Sequence, residues 1–205
     1  VLTNSQPNVL GDIVNSSLER VKGARYRASA ADALEGTTGA ASYATFASGL
    51  DSKPEMLYVG ANDGMLHAFK AADGTETFAF IPTAVRETLS DLTTPKYGAS
   101  GKAHRYFVDG TPVISDVYFG GAWHKVLIGS LGAGGQQIFA LDITDPESPK
   151  LLWEFGTTQG DKLGYTMAQP TIARLNDNGA VKGKWVVILP NGYQGLNSAT
   201  GQASL

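Results

Sequence analysis

Apolar and polar positions fall into short runs separated by turn residues from about residue 56 onward. Met56-Leu57-Tyr58-Val59-Gly60 is an apolar run that stops at Ala61-Asn62-Asp63-Gly64. An Asp-Gly pair between two such runs predicts a tight hairpin, because the turn needs positive φ, which Gly and Asn or Asp tolerate. A second run, Met65 to Ala71, ends at Ala72-Asp73-Gly74, and a third, Thr75 to Ile81, alternates Glu76, Phe78 and Phe80 with Thr75, Thr77 and Ala79. Three strands joined by two tight turns make an antiparallel meander.

The same grammar returns downstream. Pro112 to Phe119, Trp123 to Ser130, Gln136 to Ile143 and Leu151 to Phe155 read as four strands, separated by Gly120-Gly121, by the Gly-rich stretch Leu131 to Gly135, and by Asp145 to Pro149. Four strands within residues 112–155 are the size of one propeller blade. Superposing the two units places Tyr58-Val59-Gly60 on Leu127-Ile128-Gly129, Leu66-His67-Ala68-Phe69 on Ile138-Phe139-Ala140-Leu141, and Phe78 on Trp153. The changes in offset fall in turns, as stacked repeats allow. Phe78 and Trp153 are therefore expected to be buried wedges between neighbouring blades. Gly60, Asp63, Gly64 and Gly129 are the positions that shape the turns and close approaches.

A third unit starts with Pro170 to Leu175 and Lys184 to Leu189, and a third strand is expected at Ala203 to Leu205. Gly11 to Val14 could supply the remaining strand of the first unit. The pattern thus predicts an all-β chain, part of a quinoprotein-like β-propeller with four-stranded antiparallel blades. The first blade covers about 11–81 with an insertion at 18–55, a connection runs 82–111, the second blade covers about 112–155, and a third begins at about 169–205. Short helices are expected at Tyr43 to Ala47 and Thr83 to Leu92, where Val85, Leu89 and Leu92 share a face. About two and a half blades cannot close a ring of four to eight, so a longer polypeptide with an open sheet edge is expected.

Composition agrees with this picture. Gly makes up 25 of 205 residues, and only 17% of residues are charged. The net charge of -3 and the absence of a basic cluster argue against nucleic-acid binding. No apolar stretch approaches the roughly 18 residues of a membrane span. With no cysteine, thiolate catalysis and Cys-ligated metals are excluded.

Candidate chemistry is sparse. Gly129 to Gly135 lacks the Gly-Lys-Ser/Thr of a phosphate loop and leads into a strand rather than a helix. His67, His104 and His124 have no metal-ligand spacing, so a hydrogen-bonding or packing role is favoured over a ligand role. Asp63, Asp73, Asp109, Asp145 and Asp177 lie in turns, where a carboxylate caps backbone N–H groups. Asp116 differs, because it interrupts the apolar run Val113 to Phe119 and needs partners if buried, from backbone or a neighbouring blade. No residue is assigned a catalytic role, and Asn15-Ser16-Ser17 matches a glycosylation acceptor.

Tyr58 to Phe69 (Tyr-Val-Gly-Ala-Asn-Asp-Gly-Met-Leu-His-Ala-Phe) resembles the blade signature of the PilC/PilY family, type IV pilus-associated biogenesis factors and adhesins with a C-terminal β-propeller. Val9 to Ser17, Tyr106 to Gly110, Asp116-Val117-Tyr118 and Asn191-Gly192-Tyr193 follow in the family's order. The resemblance implies a non-catalytic scaffold in pilus extension, retraction and adhesion. Its implied place is the cell surface, outer membrane or pilus tip of a Gram-negative bacterium. The implied partners are the pilin and pilus machinery and a host-surface receptor. It also implies a calcium site in an Asp-rich loop, which is expected only in the longer parent protein. No such loop occurs in residues 1–205, the nearest stretch being Asn176-Asp177-Asn178-Gly179, so no cofactor is expected in this segment. Two rivals stay open at this level, a quinoprotein-like dehydrogenase and an outer-membrane assembly scaffold, since a fold does not carry an activity.

Overall fold

The computed structural model describes residues 10–95, 97–99, 101–156, 163–176 and 183–194. Three antiparallel sheets follow one another along the chain. The first contains β1 (Glu19–Val21), β2 (Met56–Gly60), β3 (Leu66–Lys70) and β4 (Glu76–Phe80), in chain order. The second contains β5 (Val113–Phe119), β6 (Ala122–Ser130), β7 (Gln137–Asp142) and β8 (Lys150–Gly156), again in chain order. The third pairs β9 (Thr171–Arg174) with β10 (Trp185–Ile188). The strand expected at 203–205 lies outside the described residues, as does Asp177.

Repetition extends to the register. Ala68 pairs with Phe78 and Ala140 with Trp153, and each sheet shifts register one residue later, between Ala68 and Phe69 and between Ala140 and Leu141. Between the first two sheets lies the main core, where Met56, Tyr58 and Leu66 meet Leu127, Phe139 and Leu141. A second core joins Val117, Val126, Ile128 and Ala140 of the second sheet to Ile172, Trp185 and Val187 of the third.

Three expectations need correction. The outstanding strand of the first sheet is Glu19–Val21, inside the span read as an insertion, and not Gly11 to Val14. Val21 packs onto the core opposite Met56 while Arg20 points out to Glu55, an alternation too short to stand out in sequence. The backbone at 11–15 bonds instead to Asp63, Asn62 and Asp109, in loops beside the first two sheets. The helix expected at Thr83 to Leu92 resolves into two 3-10 turns, Thr83–Val85 and Leu89–Thr93, although Val85, Leu89 and Leu92 do face the core. Trp153 is not largely buried but 38% exposed.

The register explains the last difference. Trp153 stands opposite Ala140, on the face of the second sheet that the third sheet covers. Among the described residues the third sheet has two strands, and Trp153 and Phe155 border the groove of about 970 Å³ left beside them. Phe78, the counterpart, is half-buried against the first core with its ring 6.2 Å from Tyr58. Trp153→Ala should therefore cost about 1–2 kcal/mol in urea unfolding, below the roughly 3–5 of a fully buried aromatic.

Residues 22–55 form a clip over the sheets. α1 (Ala28–Glu35) is built from strong helix formers and stops at Gly36, whose φ of 66° is the left-handed conformation favoured at a helix end. α2 (Tyr43–Asp51) starts where Ser42 Oγ accepts from Thr45 N, and it extends past the span expected from sequence. Tyr43, Trp123 and Ala31 form a third apolar cluster beneath them. Among the described residues, no helix is long and apolar enough to cross a membrane.

Candidate functional site

The signature residues 58–69 build the turn at one end of the first sheet. Gly64 has φ 94°, and a Cβ there would lie 2.2 Å from Leu89 Cδ2, so both backbone and space demand glycine. At Gly60, a Cβ would lie 2.4 Å from the Val108 carbonyl oxygen, and this lets residues 106–110 run against the end of β2. Phe107 N donates to Asn62 Oδ1 at 3.0 Å and Val108 N to the Ala61 carbonyl at 3.3 Å. The family motifs at 58–69 and 106–110 thus meet as one structure.

Residues 10–17 close over this junction through polar bonds. Gly11 N donates to Asp63 Oδ2 at 2.8 Å, and Asn62 N donates to the Asp12 carbonyl at 2.9 Å. Gly60 N donates to Ser16 Oγ at 3.0 Å. Asp109, read from sequence as a turn cap, accepts instead from Asn15 N at 3.1 Å and Asn15 Nδ2 at 2.6 Å. That use of the Asn15 amide works against its serving as a glycan acceptor. Asp73 caps its own turn, accepting from Thr75 N at 2.9 Å, and Asp145 accepts from the Glu147 backbone N–H in its turn while also pairing with Lys53 at 3.0 Å.

Each histidine meets a carboxylate. His67 Nε2 lies 3.0 Å from Asp63 Oδ2, and its Nδ1 lies 2.5 Å from Glu76 Oε1. His104 contacts Asp12 at 2.9 Å, and His124 contacts Asp142 at 2.8 Å beneath the stacked ring of Phe119. Burial works to raise the pKa of Asp63, but the bonds from His67 and Gly11 N outweigh it and hold the carboxyl below its ordinary value. Asp142 is held low in the same way by Thr144 and His124.

Asp116 is the most deeply buried charged residue among the described residues. It is 0% exposed and pairs across the β5–β6 ladder with Lys125, whose Nζ lies 2.5 Å from Oδ1. Oδ2 accepts from Tyr43 OH at 2.6 Å and from Arg25 N at 2.7 Å. Two of its three partners come from the clip, separated from it by 73 and 91 residues, and no local pattern in the sequence could reveal them. Burial, then the bond to Asp116, pushes the Tyr43 phenol well above its ordinary pKa, so the hydroxyl is a fixed donor. The same clip reaches the third sheet, where Glu35 Oε1 accepts from Arg174 Nε and Trp185 Nε1, both at 2.8 Å.

The structure gathers Gly60, Asp63 and Gly64 at one junction. Asp116 lies in a separate buried node, Gly129 lies under the Phe139 ring between the sheets, and Phe78 and Trp153 lie on β4 and β8. Among the described residues, no group of three or more His, Cys, Asp or Glu side chains is placed to hold a metal ion. The chemistry of these side chains is that of fixing strands, turns and the clip to one another.

A family model described as the PilY1 beta-propeller domain matches residues 10–205. The type IV pilus biogenesis factor PilY1 of Pseudomonas aeruginosa strain PAO1 is 52% identical over 190 residues, covering 93% of this chain and 15% of that protein. A type IV pilus biogenesis factor PilY1 homolog of Xylella fastidiosa strain Temecula1 is 42% identical over 185 residues, covering 90% of this chain and 14% of its own length. The crystal structure of the Pseudomonas aeruginosa PilY1 C-terminal domain matches with a TM-score of 0.69 and 46% identity, over 87% of this chain and 32% of that one. The chain therefore spans about 15% of the length of the Pseudomonas relative.

Proposed function

This chain belongs to the PilY1 β-propeller family, and from that premise we propose that it is a non-catalytic scaffold within a type IV pilus biogenesis factor, supporting pilus extension and retraction and adhesion to surfaces. The observation that carries the reading is identity of 52% across 93% of the chain to a protein named for pilus biogenesis. The geometry supports it, since the histidines and the buried aspartate are engaged in bonds that hold the sheets and the clip together. In this reading the protein works at the cell surface, at the outer membrane or pilus tip of a Gram-negative cell. Its partners are the pilus machinery and a host-surface receptor, and calcium, where the longer parent protein holds it, binds outside this segment.

A chimaera tests the proposal. The matching segment of Pseudomonas aeruginosa PilY1 is replaced by this chain in a strain lacking its own copy, and surface pili, twitching and adherence are scored. All three are expected to return. A chimaera that accumulates normally yet restores no pili would overturn the pilus role, and one restoring pili without adherence would overturn the adhesive part. Dye reduction by the purified protein with pyrroloquinoline quinone and calcium would overturn the non-catalytic reading in favour of a dehydrogenase.

A further inference from the structure

His67 is clamped between two acceptors. Its side chain is 6% exposed, Nε2 faces Asp63 Oδ2 at 3.0 Å, and Nδ1 faces Glu76 Oε1 at 2.5 Å. An ionised carboxylate has no hydrogen to donate, so a ring bonded to one at each nitrogen must carry a proton on both. The groups around it leave that requirement unopposed. Its cross-strand neighbours, Val59 on β2 and Ala79 on β4, are uncharged, and Phe69 stacks parallel at 5.8 Å. From residues 10–17 the Gly11 amide is bonded to the same Asp63 carboxylate, while the Asp12 carboxylate is turned to Asn62 and His104.

The strap formed by residues 10–17 depends on that carboxylate. Ile13 and Val14 are exposed, so apolar burial does not hold the segment down, and its anchors are polar bonds to Asp63, Asn62, Gly60, Asp109 and Thr111 and the contact of Asp12 with His104. We propose that His67 is a doubly protonated clamp on the first hairpin, and that its deprotonation as pH rises loosens residues 10–17 from the junction of the first two sheets. A neutral imidazole has one N–H, so one of the two carboxylates then meets a lone pair and turns away. When that carboxylate is Asp63, the Gly11 bond goes with it.

The direction of the titration agrees. Burial alone would lower the His67 pKa, but the bonds to Asp63 and Glu76 outweigh it and raise it above 6.5. The stabilisation is therefore complete below the unfolded value near 6.5 and is lost as pH rises through the higher folded value. The response is therefore a loss on rising pH, opposite in sign to that of Asp63 itself, whose lowered pKa makes its contribution disappear only in acid.

The chain has three histidines, so ring carbon resonances of isotope-labelled protein can follow each one through pH. His67, assigned from a His67→Gln variant, is expected to titrate above 6.5. Its midpoint should fall in Glu76→Gln, whose side chain is half-exposed and whose replacement leaves the strand intact. Amide exchange at Gly11, corrected for its intrinsic pH dependence, should quicken several-fold between pH 6 and pH 9 in the parent chain, with the response abolished in His67→Gln. A His67 midpoint at or below 6.5 would overturn the clamp. Corrected exchange at Gly11 that is the same at both pH values would overturn its link to the strap.

Discussion

Asp116→Ala is expected to destabilise the protein by about 3–5 kcal/mol in urea unfolding at neutral pH, as removal of one partner from a buried ion pair does. The loss strands Lys125 Nζ and the Tyr43 hydroxyl proton, and leaves Arg25 N with only its second acceptor, the Tyr43 oxygen. Lys125→Ala should cost a similar amount, by leaving the carboxylate uncompensated in a site with no exposure. Replacing both residues together, as Asp116→Leu with Lys125→Met, should cost less than either single change, because apolar side chains of similar volume need no partner. Tyr43→Phe, which removes the donor to Asp116 and the acceptor of Arg25 N and Tyr26 N but keeps the ring, should cost about 1–3 kcal/mol. A loss below about 1 kcal/mol for Asp116→Ala would mean that water reaches the node and that the clip is held elsewhere.

What this node requires marks the limit of what could be read from the sequence. That Asp116 needed partners was legible, because a carboxylate interrupted an apolar strand. The identity of the partners was not, since Arg25 and Tyr43 lie 91 and 73 residues away, in a stretch whose helices are short and rich in small residues. α1 had a signal, its alanines with Leu34 and Glu35 ending on Gly36, but it is only eight residues long and most of its apolar side chains are small. The strands from Met56 to Phe80 and from Val113 to Gly156 were legible because alternation and Gly-containing turns are local properties. So was the equivalence of Phe78 and Trp153, which the two registers reproduce down to the position of the shift. Equivalent register did not imply equivalent burial, because burial is decided by the sheet stacked opposite. The same holds for Asp109, whose turn-like setting hid a bond to a residue 94 positions away.

Gly60 and Gly129 occupy equivalent places in the two repeats, yet different neighbours require them, and the second supplies the other large expected effect. Gly129 pairs across the ladder with Phe139, and a Cβ at 129 would lie 2.1 Å from Phe139 Cζ and 2.4 Å from Cε2. The ring lies over the glycine, as aromatic residues do over glycines on a facing strand, and its other side meets Phe80 at 4.9 Å. Phe139 is wholly buried in the core between the first two sheets, so Phe139→Ala should cost about 3–5 kcal/mol through lost burial and the cavity left behind. Gly129→Ala should cost about 1–3 kcal/mol, because the ring is hemmed in by Phe80 and cannot yield without disturbing the core. The two losses should not add. With Phe139 reduced to Ala, the methyl at 129 enters space the ring has vacated, and the cost of Gly129→Ala should fall to near zero. The expected coupling is therefore about 1–3 kcal/mol, measured by a double-mutant cycle in urea with m-values held constant. Additive losses would show that Gly129 is needed for its backbone conformation. Coupling of that size would show that it is needed for the ring above it, so that β6 and β7 must change together at this position.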